Sequence, residues 1–177
     1  MQLDPSKTWR VVEERLARET DPRLRRNLET VLAHMKAEAS GDLETLMRTV
    51  ADDASYHAYG TPDAFMSPQG KPAVRAFYTA FVGSGAFRLE LDVDRLVVDA
   101  DCVVTEGTMR IAYPGAALQA MGHPVPEAEC FYLYETRMII AWPMDENGLV
   151  RGEDSYVGGD GFASIAERRI ALADIRS

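Results

Sequence analysis

Two cysteines in 177 residues are too few to carry a disulfide framework. Cys102 and Cys130 sit in separate strand-like apolar runs without a close-spaced partner, so they read as reduced core residues of a cytoplasmic protein. Histidine is also scarce. His57, His123, Glu127 and Glu129 invite a metal reading, but their spacing matches no ligand set, and the sequence predicts neither a metal nor a cofactor. No apolar run approaches the roughly 20 residues that span a bilayer. The opening "MQLDPSKTWR" has no apolar signal core, so a soluble, untargeted chain is expected. Positive charge is in deficit as well, 19 Lys and Arg against 28 Asp and Glu, for a net charge of −9. Residues 1–36 hold eight of those cations against six acids, and the rest of the chain holds eleven against twenty-two. Nucleic acid and anionic membranes are poor partners for such a body, because both are bound through cations that replace counterions.

What is present suffices for one folded domain, since 46% of the residues are hydrophobic. Asp4 and Pro5 open a helix with Trp9, Val12 and Leu16 at helical spacing, and Asp21 and Pro22 repeat the device. The second helix carries Leu24, Leu28, Val31, Leu32 and Met35 as one apolar stripe and stops at Ser40-Gly41. Asp42 caps a short third helix. A fourth runs through "GKPAVRAFYTAFVG", with Val74, Phe77, Tyr78 and Phe81 on one face. From Phe87 the period becomes two, as Phe87, Leu89, Leu91 and Val93 alternate with charged residues. Three more strands follow in "CVVTEGTMRIAY", "AECFYLYETRMIIAW" and "LVRGEDSYV". "PGAALQAMGHPVP" reads as a long loop, a lid or pocket rim, and "SIAERRIALADI" as a helical tail. Helices followed by a meander make an α+β domain over residues 22–160, with a helical extension over 1–21 and a tail over 161–177.

One strand, Ser55 to Tyr59, is polar or aromatic on both alternate sets, which is unusual for a core strand. Around it, "GDLETLMRTVADDASYHAYG…PQGKPAVRAFYTAFV" resembles the first half of the nuclear transport factor 2-like superfamily, which includes ketosteroid isomerases, SnoaL-like polyketide cyclases and limonene epoxide hydrolases. The marks are Gly41-Asp42-Leu43, the Ala51-Asp52-Asp53-Ala54 exit, and Gly70 with the helix through Phe77 and Tyr78. The resemblance implies a curved antiparallel sheet wrapped on a long helix, a cystatin-like cone with an internal apolar pocket for a small molecule. It also implies a homodimer through the outer face of the sheet, where Glu106 and Arg110 would be interface or solvent charges.

A gapless match to the isomerases puts their catalytic Asp at Ala58, so Tyr56, Ala58 and Gly60 face inward while His57 and Tyr59 face outward. Ala58 cannot move a proton, which counts against isomerase chemistry. Their oxyanion-binding Tyr falls on His34 and their second acid near Ile140. The epoxide hydrolases match at Tyr56 and Asp154 but lose their other residues to Ala58, Gly107 and Met109. The late-strand acid of the SnoaL-like cyclases corresponds to Asp154.

Read from the residues alone, His34 lies about 100° from the centre of its helix's apolar stripe, within reach of Glu38, and a surface pair is the plain alternative to a pocket role. Asp154 shares a strand face with Tyr156, so it is buried if Tyr156 is; otherwise it is a rim or ion-paired aspartate. Tyr56 is either a hydrogen-bond donor in the pocket or a core tyrosine. The candidate catalytic set is Asp154, His34 and Tyr56, and the candidate substrate wall is Ala58, Phe77, Met109, Met121, Tyr132 and Tyr156. Together they predict a cofactor-free acid/base enzyme of the cyclase, dehydratase or isomerase type acting on an apolar small molecule. The alternative is a non-catalytic binding or dimerisation module of the same fold.

Overall fold

The computed structural model describes residues 2–61 and 63–176. Its helices are α1 (Lys7–Leu16), α2 (Pro22–Ser40), α3 (Leu43–Arg48), α4 (Lys71–Gly83) and α5 (Gly115–Ala120). Its strands are β1 (Val50–Tyr59), β2 (Leu89–Val98), β3 (Cys102–Pro114), β4 (Phe131–Pro143), β5 (Val150–Val157) and β6 (Arg169–Ile170). Local chemistry sets the helix ends. Asp21 accepts from the amides of Arg23 and Leu24 at the start of α2, and Gly41 ends that helix at φ 70°, a conformation that costs a glycine nothing. At α1 the capping position is Ser6, two residues later than the sequence suggests, because Asp4 instead accepts from the amide and hydroxyl of Ser6.

The sheet runs β1-β5-β4-β3-β2, with β6 on the far end of β4. β2 to β5 form the expected antiparallel meander, whereas β1 joins it in parallel beside β5. A bulge between Val93 and Arg95 lies opposite Gly107, where an added Cβ would sit 2.3 Å from the Asp92 carbonyl oxygen. A bulge of this kind bends a strand and increases its twist, and here it curves the sheet toward α2 and α4. The inner face carries the core: Leu89, Leu91, Val103, Ile140 and Trp142 pack with Leu28, Val31 and Met35 of α2. The outer face carries charge ladders such as Arg137 with Asp94 and Glu106, and Arg110 with Glu90 and Glu135.

The terminal segments cover exposed parts of this frame. α1 lies along the free edge of β2, where Thr8 Oγ1 accepts from the Leu91 amide at 3.0 Å and Asp4 N donates to Glu90 at 2.7 Å. An edge covered in this way cannot recruit another strand. Two expectations from the sequence are corrected. The tail is not one helix but two short 3-10 turns flanking β6, and it is tied to the chain start through Leu3 N to Asp174 O and Arg176 N to Leu3 O. The supposed loop after β3 contains α5, whose Leu118 packs with Val125, Tyr132 and Ile165 over one end of the cone. Among the described residues no helix is long and apolar enough to cross a membrane.

Candidate functional site

The parallel register of β1 and β5 decides which side chains meet inside the cone. Tyr56 lies opposite Glu153, and His57 opposite Asp154. Neighbours across a ladder share a face, so Tyr56 and Glu153 point inward while His57 and Asp154 point outward. Tyr56 is 3% exposed, and the His57 side chain is 43% exposed. The inward direction expected for Asp154 is therefore reversed. Its carboxylate accepts from His57 Nδ1 at 2.6 Å on the outer face, and the far nitrogen of that ring lies 3.4 Å from Ser55 Oγ.

On the inner side, α2, α4 and the sheet converge on one hydrogen-bonded chain. His34 of α2 is fully buried, packed edge-on against Trp142 at 5.1 Å and Tyr78 at 5.7 Å. Its Nδ1 lies 2.7 Å from Thr49 Oγ1, which donates its own proton to Leu46 O at 2.6 Å. Thr49 can then only accept, so Nδ1 carries the ring proton and Nε2 of the neutral imidazole is left as an acceptor. Tyr78 Oη, from α4, stands 2.9 Å from that Nε2 and 2.9 Å from Glu153 Oε2.

Tyr78 has one proton and two neighbours that can accept it. With Glu153 ionised, the phenol donates to the carboxylate and His34 Nε2 loses its donor. With Glu153 protonated, the carboxyl donates to Tyr78, Tyr78 donates to His34, and every group is satisfied. Burial favours the second arrangement. It pushes Glu153 up to about 7, with Tyr78 pulling the other way and the Asp154 charge adding to the rise. Burial also drives His34 down to about 3, so the ring is neutral at physiological pH. Glu38, one turn beyond His34 on α2, is held well above the usual carboxylate range by burial and then by the charge of Glu153.

Tyr56 completes the cluster. Its ring meets Tyr78 edge-on at 6.1 Å, and among the described residues its buried hydroxyl has no partner at full hydrogen-bonding distance, the Tyr78 hydroxyl being a weak neighbour. The narrow end of the cone is filled by Trp142, Tyr78, His34 and Met35, so the expected pocket does not extend there. Solvent reaches the inner face where Glu38, Glu153, Ala58, Ser155 and Phe77 keep partial exposure.

The other candidates divide. Ala58 is on the inner face and partly exposed, Met109 is inward at 8% exposure, and Phe77 packs between Tyr78 and Phe65. Tyr132 is fully buried, but its hydroxyl is engaged by the backbone of Glu127 and so braces the loop before β4. Met121 is half exposed at the end of α5, away from the cluster. Tyr156 is 47% exposed and stacks on Tyr59 at 4.5 Å outside the sheet, which removes it from the wall. Sequence reasoning missed Glu153, Tyr78 and Thr49 as site residues. The spacing of His34 and Glu38 was the one local signal that pointed toward the cluster. Glu127, Glu129 and Cys130 also bring ligand atoms within 4.8 Å of one another, but Glu127 is already engaged by Arg169 and by the Cys130 thiol.

Residues 31–130 match the family profile of the SnoaL-like domain. The fold is similar to that of a protein from Shewanella putrefaciens CN-32 whose assignment as a SnoaL-like polyketide cyclase is provisional: TM-score 0.65, 13% identity, covering 89% of this chain and 92% of that one. It is similar to the Delta 5-3-ketosteroid isomerase of Mycobacterium sp., with TM-score 0.56, 18% identity, and 74% and 92% of the two chains covered. A Mycobacterium tuberculosis protein in complex with estradiol-17beta-hemisuccinate gives TM-score 0.56, 17% identity and the same 74% and 92% coverage. At such identities these likenesses show the fold and not the chemistry. No curated protein sequence matches the chain.

Proposed function

The chain belongs to the SnoaL-like domain family, and from that membership we propose that it is a cofactor-free acid/base enzyme acting on an apolar small molecule at the cluster of Glu153, Tyr78, His34 and Tyr56. The observation that carries the reading is the Glu153–Tyr78–His34–Thr49 chain, which holds a carboxyl at about 7. A general acid or base works best when its pKa lies near the working pH, because both protonation states are then populated. Glu153 takes this role in place of Asp154, which faces outward.

The chemistry follows from the proton count. An ionised Glu153 accepts a proton from carbon beside a carbonyl, or from a hydroxyl, and returns it elsewhere on the same molecule. Its protonation restores the fully satisfied chain through Tyr78 to His34, so the relay favours the step that takes the proton up. Tyr56, with a hydroxyl free to donate, stabilises the oxyanion that develops as the proton leaves. Cyclisation, dehydration and isomerisation each require only this pair of roles. An apolar body fits the aromatic surroundings of Tyr56, Tyr78 and Phe77, and a steroid ester is what one protein of similar fold binds.

The test is turnover on a panel of polycyclic ketones and hydroxyketones with Glu153→Gln and Asp154→Asn. The glutamine variant should lose about 10²-fold or more in kcat, the usual scale of general acid–base catalysis, and the asparagine variant should stay within a few-fold. The reverse ranking would overturn the assignment. A second reading, a homodimer formed through the outer sheet face, is supported by the exposure of Tyr59, Val97, Ile139 and Tyr156 on that face. Light scattering should give twice 19.6 kDa, and Ile139→Lys should return the particle to 19.6 kDa.

A further inference from the structure

Buried carboxylates in this protein are treated in two ways. Glu90 is 1% exposed and is held by Lys7 at 3.1 Å and Arg110 at 2.7 Å. That is the ordinary solution, since a carboxylate taken out of water is costly unless a cation joins it. Glu38 and Glu153, drawn in from solvent but still partly exposed, lie together at the mouth of the inner cluster, yet among the described residues neither has a Lys or Arg partner. Glu153 bonds only to Tyr78, and Glu38 has no side-chain hydrogen bond there. Beside them, on the same inner face, is the buried and unpartnered hydroxyl of Tyr56.

We propose that this mouth binds the ammonium head of a primary amine whose remainder is apolar, with Glu38, Glu153 and Tyr56 Oη as its three acceptors. The inference rests on the reading of this cluster as the active site and names its substrate class. A primary ammonium has three N–H donors, and among the described residues the site offers three acceptor groups left without a cation or, for Tyr56, without a partner at full hydrogen-bonding distance. Phe77 flanks the mouth and is partly exposed, with the buried rings of Tyr78 and Tyr56 packed edge-on behind it, and an aromatic wall of this kind attracts a cation. The groups that face this mouth from every element around it are Glu38 and His34 on α2, Tyr78 on α4, Tyr56 on β1 and Glu153 on β5. With His34 neutral and two acids present, the set carries no positive charge to receive a carboxylate or phosphate. A bound ammonium offsets the repulsion between the two acids, so Glu38 ionises on binding and anchors it, while Glu153 keeps one oxygen free to move the proton.

The experiment uses three probes that differ only in the head group: 2-phenylethylamine, 2-phenylethanol and 3-phenylpropionate. Each is titrated against the full chain at pH 7 by calorimetry. The amine should bind at least 10-fold more tightly than the alcohol, and the carboxylate should not bind measurably. Glu38→Gln, which keeps the shape of the side chain, should weaken the amine 10-fold or more while leaving the alcohol unchanged, so retained alcohol binding certifies the fold of the variant. Tyr56→Phe should weaken the amine by a smaller factor. Failure of the amine to bind at millimolar concentration, equal binding of the carboxylate, or no effect of Glu38→Gln would each overturn the proposal. Loss of turnover of a neutral ketone in Glu153→Gln, together with such a failure, would leave the acid/base reading standing and remove only the amine.

Discussion

Glu153 and Asp154 are neighbours in sequence, and the pleat of β5 sends them to opposite sides of the sheet: Glu153 receives Tyr78 inside the cone at 2.9 Å, and Asp154 receives His57 outside at 2.6 Å. The same functional group thus meets two environments one residue apart. Burial pushes the inner one toward neutrality.

Stability should record that difference. Glu153 stands at about 7 in the folded chain and near its ordinary 4.5 when unfolded, so between those values the native state binds more protons than the unfolded one. Its contribution to stability therefore falls as pH rises from 4.5 to about 7 and stays low above that. Glu153→Gln removes the charge and keeps the shape of the side chain, and should be more stable than the parent at pH 8 by about 2 kcal/mol. This is less than the full shift implies, because the group is partly exposed and shares the mouth with Glu38. Urea unfolding of both proteins at pH 5 and pH 8 checks this, and an identical pH slope in the two would contradict it.

His34 has the opposite sign. Its folded value of about 3 lies below the ordinary 6.5, so the unfolded chain binds the extra proton between those limits and stability is lost as pH falls from 6.5 toward 3. Nitrogen NMR of the imidazole should show a neutral ring with the proton on Nδ1 throughout the range from pH 8 to pH 5. A ring that becomes protonated near 6.5 would contradict the burial argument.

Tyr78→Phe removes one oxygen and leaves two groups, His34 Nε2 and Glu153, without the partner they share. Each buried group left unsatisfied costs about 1–3 kcal/mol. The variant should therefore lose about 2 kcal/mol or more in chemical unfolding, and a loss under about 0.5 kcal/mol would show that the chain is not formed in solution.

What the sequence made legible was mostly local. The Asp21-Pro22 start and Gly41 end of α2, and the alternation of β2, depend on neighbours within a turn or a strand, and they appear in the structure where local rules put them. α5 was hidden because Pro114 and Gly115 look like loop residues, although a proline at the capping position interrupts no helical hydrogen bond. The error in β5 came from Tyr156. Its aromatic body suggested burial and carried Asp154 inward with it, whereas Tyr156 finds its partner in Tyr59 across the outer face. That partner is 97 residues away and is brought alongside by a parallel pairing that no local signal announces. His34 was placed at the margin of its helix stripe for a similar reason. The stripe described contacts with the sheet, while α4 supplies Tyr78 from the side and closes the histidine in.

The proposed chemistry turns on the protonation of Glu153, and infrared difference spectroscopy across pH 5 to 9 reads it directly. Glu38 is also held above the usual carboxylate range, so the band is read in a Glu38→Gln background: that protein should show the C=O stretch of a protonated carboxylic acid that disappears with a midpoint near 7, the added Glu153→Gln should remove it, and the added Asp154→Asn should keep it. A spectrum of that background in which no carboxyl titrates above the ordinary range near 4.5, or in which the band survives the added Glu153→Gln, would contradict it.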